Sequence, residues 1–445
     1  MICEQKEIQS LDFFTFGAAY AVFLFLSRKK EKELPQFFLI LPIQTSFKVI
    51  LNSNLKSSML NFEIQNPTKI VFGKDQLSKL PQYLANATTS KKILIAYGGG
   101  SAEKIGLLAK IRTELKDFEI TEFGGIEANP EFDTLMKVVE ICREKQIGFI
   151  LAVGGGSVID GIKFVSGAIN YAGDPWDVLL RLEGKVFTSA VPFGTVLTIP
   201  ATGSEANSGA VISRSSLKEK RTMGGPLFFP VFSFLDPTLV ATLPKRQLAN
   251  GLTDAFMHTL EQYLTYPTGN LLQEREAEAV LSTLIEIASR VMENPSDYEA
   301  AANLMWCANH ALNGNLRCGV PTDWATHMIG HELTALYGVD HAQSLAIICP
   351  RLLEVKFENK KEKLVQYATR VWNLTGENRA HEAIEKTEAF FQSLGIKTKL
   401  SDYTDTCSDA PQIIKSRFEE RNWTAMGELQ DLTLDEAELI VKNAL

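Results

Sequence analysis

The chain has 445 residues, an ordinary globular composition and a formal net charge of −8. That length predicts two domains or three, each able to bury a core of its own. The charge leaves no basic footprint for nucleic acid, and the six scattered cysteines (Cys3, Cys142, Cys307, Cys318, Cys349 and Cys407), none in a C-x-x-C pair, fit reduced core thiols in a cytoplasm rather than a disulfide framework.

Residues 1–58 differ in character from the rest of the chain. An apolar run over 13–26 is too short for the roughly 20 residues of a membrane span. The start carries Glu4 and Glu7 beside Lys6, and no small-residue cleavage site appears, which argues against a secretory signal. The segment reads as an N-terminal extension outside the folded protein, whose working chain begins near Met59. A targeting or weakly anchoring helix is the other reading.

Over 59–243 apolar runs of strand length alternate with helical patterns. Strands are predicted at 68–73, 91–100, 120–126, 148–157 and within 190–213, with helices after 131 and after 157. This alternation predicts a parallel sheet covered by helices. Past 235–247 strand-like runs become rare, and helices are predicted at 249–265, 272–293, 298–313 and 380–394. The boundary falls near Pro244, giving an α/β domain over 59–243 and an all-α domain over 244–445.

Three polar loops interrupt the first of these domains. In "AVGGGSVIDGIK" a buried strand runs into Gly154, Gly155, Gly156 and Ser157 and then a helix. Glycines let backbone approach a pyrophosphate, and the helix start binds the anion. The full G-x-G-x-x-G fingerprint is missing, and such turns also occur without a ligand. An earlier strand ends in "AYGGGSAEKIG". Where a dinucleotide enzyme selects NAD, a carboxylate commonly follows a strand and binds the ribose hydroxyls. Here Gly98, Gly99, Gly100 and Ser101 leave space and donors for a 2′-phosphate, with Lys104 nearby, although a plain tight turn has the same pattern. In "LTIPATGSE", Thr198 and Thr202 suit either cofactor contact or helix capping. Lys220 lies in the charged run "SSLKEKRTM", whose default is a solvated surface loop.

Five of the six histidines fall between residues 254 and 341. Asp254 and His258 are four apart on a predicted helix, so they share a face, and His327 and His331 repeat that geometry. His341 lies past Gly338, which can turn the chain back. One carboxylate and three imidazoles suit zinc or ferrous iron. Asp254, His258, His327 and His341 are the expected ligands, with His331 beside the metal as a proton-transfer residue. The zinc-protease pattern H-E-x-x-H is broken, because Ala335 fills its second histidine position.

Found together and in order, "AVGGGSVIDGIKF", "ATGSEANSGAVISR", "DPTLVATLPKRQLANGLTDAFMHTLEQY" and "WATHMIGHELTALYGVDHAQSLAI" resemble the iron-containing, or group III, alcohol dehydrogenases. Within them, the pattern is similar to the NADPH-dependent aldehyde reductase and butanol dehydrogenase branch, from about Met59 to the C-terminus. The resemblance implies a dehydroquinate synthase-like fold with the active site in the cleft between an α/β nucleotide-binding domain and a helical metal domain. It implies the same four metal ligands and makes His331 an additional active-site histidine. It makes Gly154, Gly155, Gly156 and Ser157 the pyrophosphate loop, Asp160 the nicotinamide-side acidic position, and Thr198, Thr202 and Lys220 cofactor contacts. NAD-preferring relatives carry an aspartate near Gly98, so NADP(H) is expected here over NAD(H). The expected reaction is reversible hydride transfer between NADP(H) and small aldehydes or primary alcohols, in a cytoplasmic homodimer. A non-redox metal lyase on the same scaffold is the alternative.

Overall fold

The computed structural model describes residues 58–445, which belong to one compact unit. The expected N-terminal extension, its last residue apart, lies outside the described residues. Six strands form a wholly parallel sheet: β1 (Lys69–Phe72), β2 (Lys92–Tyr97), β3 (Glu119–Phe123), β4 (Phe149–Gly154), β5 (Phe193–Leu197) and β8 (Phe232–Leu235), in the order β1-β8-β5-β4-β2-β3. Strands β6 (Ala210–Arg214) and β7 (Glu219–Met223) pair separately as an antiparallel hairpin. The helices of this part are α1 (Leu80–Ala87), α2 (Ser101–Lys104), α3 (Leu107–Glu114), α4 (Phe132–Lys145), α5 (Gly156–Ala168) and α6 (Pro175–Leu179).

The continuous apolar runs make sense of the sheet's burial. Successive side chains of a strand point to opposite faces, so a strand covered on both faces must be apolar throughout. In β4, Phe149, Leu151 and Val153 enter one core cluster while Ile150 and Ala152 enter the other. Strand β2 divides likewise, with Ile93 and Ile95 on one face and Leu94 and Ala96 on the other. Each large apolar side chain buried this way contributes roughly 1.5–3 kcal/mol.

The chain winds outward from β2 to β3, jumps back over β2 to β4, and then winds the other way to β5. In open sheets of this kind ligands bind where the direction reverses, outside the carboxyl ends of the strands. Register sets Tyr97 beside Val153, and Gly154 beside Leu197. The turns after β2, β4 and β5, which carry Gly98, Gly155 and Thr198, therefore open onto one sheet edge.

From Pro244 onward the described chain is helical: α7 (Lys245–Tyr263), α8 (Leu271–Glu293), α9 (Tyr298–Leu312), α10 (Ala325–Tyr337), α11 (His341–Val355), α12 (Phe357–Arg370), α13 (Arg379–Ser393), α14 (Ala410–Glu420) and α15 (Leu434–Asn443). Helix α7 is buried along nearly its whole length from Leu248. Gly251 lets it approach the loop after β5, since a Cβ there would stand 2.5 Å from the Pro200 carbonyl oxygen. The stretch 323–343 forms two helices, not one, because Gly338 takes φ +69° and ends α10. None of the helices among the described residues is long and apolar enough to cross a membrane.

Two strands escape the sequence pattern. Strand β8 is only four residues long, although all four are buried. Strand β7, "EKRTM", has the composition of a surface loop, yet its charges meet partners from the distant C-terminal helices. The cysteines among the described residues are buried and free, and burial pushes the Cys142 and Cys307 thiols up to about 12, as inert core groups.

Candidate metal and cofactor site

Helix α7 presents Asp254 and His258 one turn apart, α10 presents His327, and His341 is the first residue of α11. One donor atom from each of the four lies within 4.8 Å of the others. His258 Nδ1 stands 3.7 Å and His341 Nε2 3.6 Å from Asp254 Oδ1. The His258 and His327 rings stack at 4.8 Å between centroids. Asp254, His258 and His327 are buried.

Buried polar atoms normally find partners. Asp254 Oδ1, His258 Nδ1, His327 Nε2 and His341 Nδ1 have none within the protein. Burial holds all three imidazoles below the usual histidine range, His327 down to about 4. They are thus neutral near pH 7, with lone pairs free for a cation. Three neutral imidazoles and one carboxylate, with donor atoms within 4.8 Å of one another and buried atoms left unmatched, fit a divalent ion. His331, half-buried on α10, has its ring centroid 5.0 Å from that of His341 and 6.2 Å from that of His327.

Sequence reasoning missed the residue that orients His327. Glu261, seven residues after Asp254 on the same face of α7, accepts the Thr326 backbone N–H at 2.7 Å and pairs closely with His327 Nδ1. That contact leaves Nε2 for the ion, the carboxylate–histidine arrangement common around metals. Asp323 lies behind it, held by Lys360 at 2.8 Å, which also pairs with Glu428 at 2.8 Å. The i, i+4, i+7 spacing of Asp254, His258 and Glu261 was the available signal. Glu261→Gln is expected to weaken metal affinity about 10- to 100-fold without unfolding the protein. A chelator-competition titration measures this, and unchanged affinity would mean that His327 is oriented by other contacts.

The glycine turn after β4 is tight because it packs against protein. A Cβ on Gly154 would meet the Val158 side chain at 2.5 Å, and one on Gly156 the Thr202 side chain at 2.6 Å. Helix α5 starts here with no side-chain cap, so its first-turn N–H groups stand at that sheet edge without a capping partner. Thr198 N–H donates to the Gly154 carbonyl at 3.0 Å, and Thr202 Oγ1 accepts Ser204 N–H at 3.1 Å. Thr202 thus closes a local turn through its hydroxyl, and its side chain also covers Gly156.

Asp160 has both carboxylate oxygens engaged by the protein. Ser204 Oγ donates to Oδ1 at 2.6 Å and Val211 N–H to Oδ2 at 2.9 Å. Burial raises its pKa while Lys163 and Lys220 pull it back. Lys163, which no sequence pattern singles out, is fully buried and donates to Ser204, Asn207 and the Gly209 carbonyl at 2.7–2.9 Å.

Lys220 is buried, which overturns its default reading as a solvated surface lysine. Its Nζ donates to Asn129 Oδ1 at 3.0 Å, and Asn129 N–H donates to Ser157 Oγ at 3.2 Å. Asn129, at φ +59°, thus ties the lysine to the start of α5. Burial pushes Lys220 down to about 8, against the pull of Asp160 and Asp254.

At the β2 turn, Gly100 takes φ +92°, and Cβ atoms on Gly99 or Gly100 would meet only open space. Ser101 is exposed there. Glu103, the acidic residue of this turn, is directed at Arg112 through bonds of 2.8 and 3.0 Å, and Arg112 also holds Glu122 at 2.7 Å.

Comparison with known proteins agrees with this geometry. Residues 67–237 match the iron-containing alcohol dehydrogenase family model, and residues 248–445 the model for the C-terminal part of Fe-containing alcohol dehydrogenases. The chain is 48% identical to the NADPH-dependent aldehyde reductase YqhD of Escherichia coli, covering 87% of this chain and all of that one. It is 40% identical to the probable NADH-dependent butanol dehydrogenase 1 of Bacillus subtilis, covering 78% and 90%. Among solved structures, that of E. coli YqhD superposes with a TM-score of 0.85 at 46% identity, covering 88% of this chain and all of that one. The NADH-dependent butanol dehydrogenase A of Thermotoga maritima superposes at 0.83 with 32% identity, covering 87% and 99%. The chain belongs to the iron-containing alcohol dehydrogenase family, in its aldehyde reductase and butanol dehydrogenase branch.

Proposed function

We propose that this oxidoreductase reduces small aldehydes to primary alcohols with NADPH, reversibly, and that Asp254, His258, His327 and His341 hold one zinc or iron(II) ion. The observation that carries this reading is the convergence of four side chains from α7, α10 and α11, each with a buried polar atom that the protein leaves unpartnered. Residues 59–243 then form the cofactor domain and 244–445 the metal domain.

When bound, the metal supplies a Lewis acid for the aldehyde oxygen and the nicotinamide supplies the hydride. The chain's own residues bind, orient and handle the proton. The first-turn N–H groups of α5 at Gly156 and Ser157 take the pyrophosphate, with the Lys220 ammonium beside them. Thr198 and Thr202 line the same edge, and Asp160 fixes α5 to the hairpin. His331 donates a ring N–H to the substrate oxygen as it gains negative charge. The turn from Gly98 to Ser101, open at Gly99 and Gly100 and with Glu103 turned onto Arg112, favours the 2′-phosphate of NADPH.

Two further parts of this reading concern setting. Buried thiols and a net negative charge suit a cytoplasmic protein. Met59, Leu60, Phe62 and Ile64 are exposed just before the edge strand β1, which suits pairing with a second copy.

The test is nicotinamide absorbance with the metal-replete protein and butanal, comparing NADPH with NADH. Fast loss of NADPH, slow loss of NADH and abolition by a chelator are expected. Preference for NADH would discard the account of the Gly98 turn and keep the enzyme class. No oxidation of either cofactor would favour a lyase.

A further inference from the structure

Lys220 and His331 face the site from different parts of the fold, one on the β6–β7 hairpin and one on α10. Each has a glutamate as its chain neighbour: Glu219 before Lys220, Glu332 after His331. Both glutamates are gripped by the same two arginines, Arg417 within α14 and Arg421 at its end.

Arg417 and Arg421 are four residues apart, so they share a face of α14 and its continuation. Glu332 is almost fully buried, and its two oxygens are divided between them, Arg417 Nε on one and Arg421 Nη1 on the other. Each guanidinium has a second end. Arg421 Nη2 reaches Glu219 Oε1 at 3.1 Å, and Arg417 Nη2 donates to the Lys218 carbonyl at 2.6 Å. Glu219 also takes Arg221 Nε at 2.7 Å. The Trp423 ring lies against this group, 5.1 Å from the Arg421 guanidinium carbon and 5.9 Å from that of Arg221.

The geometry of a strand explains the division of labour on β7. Alternate side chains point to opposite faces, so Glu219 and Arg221 turn toward α14 while Lys220 turns inward. A planar guanidinium with a fork of donors can bridge two acceptors rigidly, which an ammonium cannot. Exposed ion pairs fix little, but these are shielded from water: Arg421 retains 8% of its side-chain exposure and Glu332 2%.

We propose that Arg417 and Arg421 are positioning residues, which strap the β6–β7 hairpin to α10 and so set where the Lys220 ammonium stands relative to the metal centre and His331. The inference rests on the reading of Lys220 as a cofactor contact. Nothing in the reaction requires the arginines to touch substrate or cofactor. Their effect passes through the hairpin.

The experiment is a double-mutant cycle read by NADPH binding. Nicotinamide fluorescence gives the dissociation constant for the metal-replete wild type, Arg421→Lys, Lys220→Ala and the double variant, with metal content measured for each. Arg421→Lys keeps the charge and loses the fork. It is expected to retain metal while weakening NADPH binding on the order of tenfold, and Lys220→Ala should then cost clearly less in that background than in wild type. Unchanged NADPH affinity in Arg421→Lys, or strictly additive losses, overturns the strap while leaving the lysine's role intact. No loss in Lys220→Ala alone removes the lysine reading and the strap with it. Should Arg421→Lys fail to fold, the isosteric Glu332→Gln opens the other end of the strap and is judged by the same outcomes.

Discussion

His327→Ala is expected to cost the protein its metal and lower kcat/KM for butanal by ~10³-fold or more, because several kcal/mol of Lewis-acid stabilisation disappear with the ion. Elemental analysis should find well under one metal per chain. The substitution also leaves Glu261 Oε2 without its His327 Nδ1 partner in the buried interior, while Oε1 keeps the Thr326 N–H. Some thermal destabilisation should therefore accompany it, and circular dichroism at the assay temperature separates that from lost chemistry. Full metal occupancy with undiminished activity would remove His327 from the ligand set.

His331→Ala should behave differently. It is expected to retain metal and bind NADPH, while turnover falls by roughly 10²-fold, the usual worth of a positioned proton-transfer group. Burial and the nearby Lys220 charge hold His331 well below the ordinary histidine range. The neutral ring is then present throughout the working pH range. The deficit should stay near-constant from mildly acidic to mildly alkaline pH, with no inflection near the ordinary histidine value. Unchanged turnover at all pH values, with metal in place, would sink the role.

The part of this molecule legible from sequence is the part encoded locally. Asp254 with His258, and His327 with His331, announce themselves through helical spacing in a chain with few histidines. The turns after β2 and β4 do so because a buried strand runs straight into glycines. What was not legible depends on partners far away in the chain. Strand β7 looks like a solvated loop until α14 brings Arg417 and Arg421 to Glu219 and Lys218, about two hundred residues later. Glu261 is an unremarkable helix carboxylate until α10 delivers His327 to it. Asn129 gives no signal at all before β7 folds over it and supplies Lys220. Strand β8 is too short to show a period.

The members of the ligand set are not equally fixed. Asp254 and His258 sit on α7, which is enclosed almost throughout. His327 and His341 sit on either side of the elbow at Gly338. That elbow is pinned to the start of α7 through Asp340, which takes Arg246 and Asn250 at 2.8 Å each. Asp254, His258 and His327, all buried, would offer an ion a standing site, and His341, the least buried of the four, would be the ligand that the elbow carries. How long an ion stays would then depend on how firmly the elbow holds His341, not only on the strength of four bonds. Asp340, the chain neighbour of His341, would then act on the residence time of the metal, through its bond to the half-buried Asn250 more than through the exposed Arg246.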